Sequence, residues 1–185
     1  NIRVYRVGRG GGYIGKVLFP LRAMMCVWQL HGRNTYDGFW GMMAYMVFPI
    51  VLLRIVGVRV PYAMTLQEGD THTHVFRRPH IRLVLPLMRY GFKRAAVVQT
   101  ISHFLAGWAH ELGAQDPVVI PNGVDAKKFA GVPIPHTGTV LITTSRLVHK
   151  NAVDDVIRAL PSMPGVHFRI IGTGPDETML RILAT

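Results

Sequence analysis

Short apolar runs alternate with longer helix-patterned stretches along this 185-residue chain, and that alternation restricts the fold more than any other feature. IRVYRV (2–7), VRVPYAMTL (58–66), AAVVQTI (95–101) and PVVI (117–120) read as strands. Residues 16–30, an apolar stretch ending near Gly57, the basic stretch 80–94 and HFLAGWAHEL (103–112) read as helices, with YDGFW (36–40) a short strand or turn. Ser102 stands where an N-cap belongs and Gly113 where a helix stops. Strands joined through helical crossovers run parallel, and the helices then cover the sheet. Ligands meet such sheets at the C-terminal ends of the strands.

The series breaks at PNGVDAKKFAGVPIPHTG (121–138), which has no clear period and is punctuated by prolines and glycines. A second series follows: TVLITTS (139–145) as strand, a helix over 152–160, VHFRIIG (166–172) as strand, and GTGP (172–175) opening a last helix. The expectation is an α/β protein of two Rossmann-like parallel-sheet domains, both incomplete. They span 1–122 and 137–185, with a linker at 123–136. The chain opens on Asn1 and closes inside the helix-patterned MLRILAT (179–185), so a fragment is expected.

Charge narrows the partners. The net charge is +11, and the excess is uneven. Before Asp37 the only charges are Arg3, Arg6, Arg9, Lys16, Arg22 and Arg33. Between Asp70 and Glu111 they are Arg77, Arg78, Arg82, Arg89, Lys93 and Arg94. Such patches suit a phosphorylated ligand or anionic lipid, or serve only to keep a face solvated. Aromatic residues do not interleave with them at RNA-binding spacing, which disfavours nucleic acid. The single cysteine, Cys26, excludes an internal disulfide framework and fits a reducing, cytoplasmic compartment. FWGMMAYMVFPIVLL (39–53) is apolar throughout, yet it is shorter than the roughly 20 residues of a membrane span and contains Pro49. It reads as a buried helix.

Several motifs carry less than they suggest. Gly10, Gly15 and Lys16 meet the spacing of a phosphate-binding P-loop, but Val17 stands where the Mg²⁺-ligating hydroxyl belongs. A flexible turn is the expected role of GGGYIGK (11–16 with Gly10). His72 and His74 lack a carboxylate or cysteine at metal-site spacing, so THTH reads as a polar loop, and no metal is expected. Ser102–His103 has no triad around it.

The most specific stretch is TTSRLVHKNAVDDVIRAL (143–160). Arg146 and Lys150 lie in the loop between strand and helix. Asn151 is placed to cap that helix, with Asp154 as the return half of a capping box. Free N–H groups and the dipole make a helix start attractive to anions, and a guanidinium beside it builds a diphosphate site. The same spacing also allows Arg146 and Lys150 to pair with Asp154 or Asp155 on the surface. Gly172 and Gly174 in GTGP permit a close backbone approach.

PNGVD with KKF, then SRLVHKNAVDDVIRAL, then IIGTGP with a downstream Leu, in that order, resemble glycosyltransferase family 4, the retaining GT-B enzymes. YDGFWGMMAYMVFPIVLLRIVGVRVPYAMTLQEGD (36–70) resembles the family's acceptor-side domain. The resemblance implies a GT-B-like fold whose two domains face a cleft, and a sugar transferred from a nucleotide-diphosphate donor to a cell-envelope, glycolipid or polysaccharide acceptor. Arg146 and Lys150 would grip the diphosphate, with Asn151, Gly172 and Gly174 on the donor side. Gln67, Glu68, Asn122 and Gly123 would lie on the acceptor side, with no cofactor and no obligatory metal. Anionic membrane is a possible further partner, on a cytoplasmic or peripheral protein.

The departures are specific. The family's Lys-Gly pair is Asn151–Ala152 here, with Lys150 one position early. Gln67–Glu68 stands where the family often has His; Glu68 or Asp70 would contact an acceptor hydroxyl or cap a loop. The N-terminal glycine-rich loop and the E-x7-E motif are not in the chain. A GT-B epimerase and a non-catalytic basic module binding membrane or nucleic acid remain as alternatives.

Overall fold

The computed structural model describes residues 2–8, 12–131, 135 and 137–185. The chain divides into two compact units, Asn1–Val124 and Asp125–Thr185.

In the first unit, helix α1 (Tyr13–Arg33) is followed by β1 (Phe39–Met42), a 3-10 turn at Ala44–Met46, α2 (Val47–Ile55) and β2 (Tyr62–Leu66). Helices α3 (His72–Phe76) and α4 (Pro79–Arg94), strand β3 (Val97–Thr100), α5 (His103–Glu111) and the short β4 (Val118–Val119) complete it. The four strands form one parallel sheet in the order β1-β2-β3-β4. Alternation along β2 and β3 sends Tyr62, Met64, Leu66, Val98 and Thr100 to one face, and all are buried. Helices α2, α4 and α5 supply the other half of that core through Val47, Val51, Met88, Phe92, Leu105 and Trp108. The helix layer is tight. A Cβ on Gly91 of α4 would overlap the side chain of Val47 in α2, so glycine lets the two helices cross at backbone distance.

Some expectations need correction. Residues 2–7 form no strand, because they find no ladder partner among the described residues; Ile2 and Val4 stay exposed. The expected turn at GGGYIGK is helix from Tyr13 onward, so Gly15 and Lys16 lie inside α1. Gly10 and Gly11 lie outside the described residues. Helix α1 contains Pro20, and Ala23 is its one buried residue. The THTH loop is instead the short helix α3, where His72 packs edge-on against Trp108. The His74 side chain lies outside the described residues. Ser102 caps α5 as its sequence suggests, its hydroxyl accepting from the Leu105 N–H. Gly113 follows with φ of 90°, the left-handed conformation that stops the helix.

The second unit holds α6 (Ala126–Phe129), β5 (Thr139–Thr144), a 3-10 turn at His149–Asn151, α7 (Val153–Ala159), β6 (Val166–Ile171) and α8 (Glu177–Leu183). Its two strands are parallel and in register from Thr139↔Val166 to Thr144↔Ile171. Leu147, Val153, Ile157 and Leu180 form its core, backed by Phe168 and Ile170. Helix α6 falls inside the segment read as linker, where Asp125 Oδ1 accepts from the N–H groups of Lys127 and Lys128. Val132, Pro133, Ile134 and His136 of that segment lie outside the described residues.

Candidate functional site

The second unit gathers Arg146, Lys150, Asn151, Gly172 and Gly174 at the C-terminal ends of β5 and β6. The ladder runs on past both strands. Ser145 N donates to Ile171 O at 3.1 Å and Leu147 N to Thr173 O at 2.9 Å. Leu147 is buried in the core, so the alternation of an extended chain turns Arg146 outward, where it is exposed. The Arg146 carbonyl accepts from Val148 N at 3.0 Å and from Asn151 Nδ2 at 2.6 Å. The backbone that carries the guanidinium is therefore fixed on both sides, while the guanidinium makes no ion pair with any described residue.

Asn151 does not cap α7. It closes the 3-10 turn, and the position before the helix is Ala152, held in the left-handed conformation with φ of 50°. A Cβ is unfavourable in that backbone, which glycine adopts freely. Asp154 forms no capping box either. Its carboxylate is taken by Arg158 one turn on, which holds it below the usual carboxylate range, and Asp155 also reaches Arg158 at 3.4 Å. Among the described residues, no side chain caps the start of α7.

The two glycines have a structural reason that their spacing alone did not reveal. A Cβ on Gly172 would overlap the Ser145 carbonyl, and one on Gly174 the Leu147 carbonyl. Each therefore allows the loop after β6 to lie against the segment carrying Arg146, backbone on backbone. The buried Ser145 Oγ beside them has no hydrogen-bond partner among the described residues.

In the first unit, Gln67 and Glu68 follow β2, and Asn122 and Gly123 follow β4, at the same end of the parallel sheet. Glu68 is half-buried, and its Oε1 accepts from the Ala44 N–H at 2.6 Å. One oxygen thus serves as the cap of the segment leading into α2. Burial raises the Glu68 carboxyl above its ordinary range; the Ala44 bond opposes this and Asp70 adds to it. Gln67, Asn122 and Gly123 are exposed.

A polar chain that sequence reasoning missed crosses this sheet. Trp40 Nε1 donates to Thr65 Oγ1 at 2.9 Å, Thr65 Oγ1 donates to Gln99 Oε1 at 3.0 Å, and Gln99 Nε2 donates to Ile120 O at 3.3 Å. Its signal was present: Thr65 and Gln99 are polar residues inside otherwise apolar strands. Next to it, Met43 adopts φ 71° and ψ 154°, a region close to glycine-only. Such strain stands where Met43 N meets Thr65 O and the chain turns toward Glu68.

Residues 1–123 match the family model described as a glycosyl transferase 4-like domain. The chain belongs to this family. No curated protein matches the sequence. Among solved structures, sucrose-phosphate synthase from Thermosynechococcus elongatus is similar at a TM-score of 0.71 and 12% identity, over 94% of this chain and 49% of that one. The apo form of the lipopolysaccharide outer core galactosyltransferase WaaB is similar at 0.65 and 17%, over 91% and 46%. At such identities the likeness is one of fold, and it makes this glycosyl transferase 4-like chain GT-B-like, with a parallel sheet in each unit. The chain spans about half the length of these structures. No described helix is long and apolar enough to cross a membrane.

Proposed function

We propose that this glycosyl transferase 4-like chain serves a retaining glycosyltransferase that moves a sugar from a nucleotide-diphosphate donor to a lipid-linked or polysaccharide acceptor. The single observation that carries the reading is Arg146: exposed, fixed by its backbone at the C-terminal end of β5, and without an ion pair among the described residues.

As the bond between the sugar and the diphosphate breaks, its electron pair passes to the phosphate oxygen and negative charge grows there. A guanidinium held in place offers parallel N–H donors to two such oxygens and stabilises the departing group more than the intact donor. Lys150 adds a second cation from the adjoining turn. The acceptor hydroxyl approaches the same face of the sugar and gives its proton to the leaving phosphate oxygen, which retains the configuration without a protein nucleophile. Gln67, Glu68, Asn122 and Gly123 are the residues proposed to meet the acceptor, and the protein is proposed to act in the cytoplasm or at a membrane surface.

Calorimetric titration of the 185-residue chain with UDP- and GDP-sugars tests the reading. Arg146→Ala should weaken donor binding by roughly 1.5–3 kcal/mol, the range for a charged hydrogen bond. Binding that Arg146→Ala leaves unchanged refutes the assignment of Arg146.

A further inference from the structure

A cavity of about 370 Å³ opens in the helix layer of the first unit, lined by His72, Phe76, Arg77, Arg82, Leu85, Arg89, Trp108, Glu111 and Leu112, all outside the candidate site described above. We propose that it binds a phosphomonoester or diphosphate group carried on an apolar or aromatic body.

The sequence places the cations there by helical spacing. Arg82, Leu85 and Arg89 stand at i, i+3 and i+7 on one face of α4, and Arg77 enters from the segment between α3 and α4. All three arginines are exposed, and none makes an ion pair with a described residue. The one acidic neighbour is already engaged, since Glu111 Oε2 meets His72 Nε2 at 2.8 Å. Three guanidiniums therefore share a concave surface with a single carboxylate, that of Glu111, among its lining residues.

Beneath them the floor is apolar. Trp108, Phe76 and Leu112 are buried, with Phe76 set edge-on to Trp108 at 5.3 Å and His72 edge-on to the same indole at 5.1 Å. A simple solvated basic face needs neither concavity nor an aromatic base. A guanidinium fork matches phosphate geometry, and a phosphate monoester carries between one and two negative charges, which with the Glu111 carboxylate can be set against the three guanidiniums. The apolar floor selects a ligand whose phosphate is attached to something that shuns water. Either a soluble aryl or alkyl phosphate or the headgroup of an anionic lipid has that chemistry.

The test uses the full chain, with phenyl phosphate measured by calorimetry and co-sedimentation on vesicles of phosphatidylcholine with or without phosphatidic acid. The variant Arg82→Gln/Arg89→Gln alters two exposed side chains that make no ion pair with a described residue, so its thermal melt should match that of the parent chain. A tenfold or greater loss of phenyl phosphate affinity in the variant supports a soluble ligand. Binding confined to phosphatidic acid vesicles and lost in the variant supports a headgroup. Failure to bind either probe, or binding that the variant leaves intact, overturns the proposal. Arg146→Ala should leave this binding unchanged, so the result stands apart from the donor-site reading.

Discussion

The side-chain amide of Asn151 donates to the backbone carbonyl of Arg146 at 2.6 Å, tying the end of the 3-10 turn to the residue whose exposed guanidinium makes no ion pair with a described residue. Asn151→Ala removes that tie while leaving the guanidinium itself in place. The expected outcome is a loss of about 1 kcal/mol of stability, read by urea unfolding. Weaker nucleotide-sugar binding should accompany it, smaller than the effect of Arg146→Ala. Asn151→Asp cannot donate and should behave like the alanine variant.

Ala152 occupies a left-handed conformation that glycine adopts without cost. Ala152→Gly should therefore stabilise the second unit, by at most about 1 kcal/mol, because glycine also adds freedom to the unfolded chain. A rise in the thermal midpoint checks this.

Much of this was legible in the chain and some was not. The strand cores YAMTL, VVQT and the β5–β6 pair were plain because each is a short apolar run between helical patterns, and Ser102 announced its helix. IRVYRV failed as a strand because an apolar alternation states only a propensity, and a strand needs a neighbour to pair with. The Asn151 cap failed for a local reason. Asn at that spacing also suits a side-chain bond to an earlier carbonyl, and the left-handed Ala152 decided between the two. The Thr65–Gln99 link depends on the register of β2 with β3, which no single strand specifies. The placement of Gly172 and Gly174 was visible, but their closest neighbours are the chain's own carbonyls.

Gly174→Ala tests that last point. The added methyl meets the Leu147 backbone rather than a flexible side chain, so the loop after β6 must move away. A loss of about 1–3 kcal/mol is expected, as for an overpacked core. Since Leu147 N also donates to Thr173 O, the shift should reach Arg146, and donor binding should fall along with stability. Gly123→Ala, where a Cβ would meet nothing within 4 Å, is the control and should change the melt little.

Glu68 offers a test by pH. Its carboxyl is raised above its ordinary range, chiefly by burial, so the folded chain keeps its proton to a higher pH than the unfolded chain does. In the window between the unfolded and folded values the native state binds more protons, and stability falls as pH rises through it. Glu68→Gln carries no charge to bury and retains an oxygen that can accept from the Ala44 N–H. Urea unfolding from pH 4 to pH 8 should show the parent chain losing stability relative to Glu68→Gln as the pH climbs. Glu68→Ala removes the acceptor altogether and should be less stable than Glu68→Gln across the range, by about 1 kcal/mol, the typical worth of a helix cap. A parent chain that instead gained on Glu68→Gln with rising pH would mean that the Ala44 bond outweighs burial, and that this carboxylate is held ionised beside the first unit's candidate site.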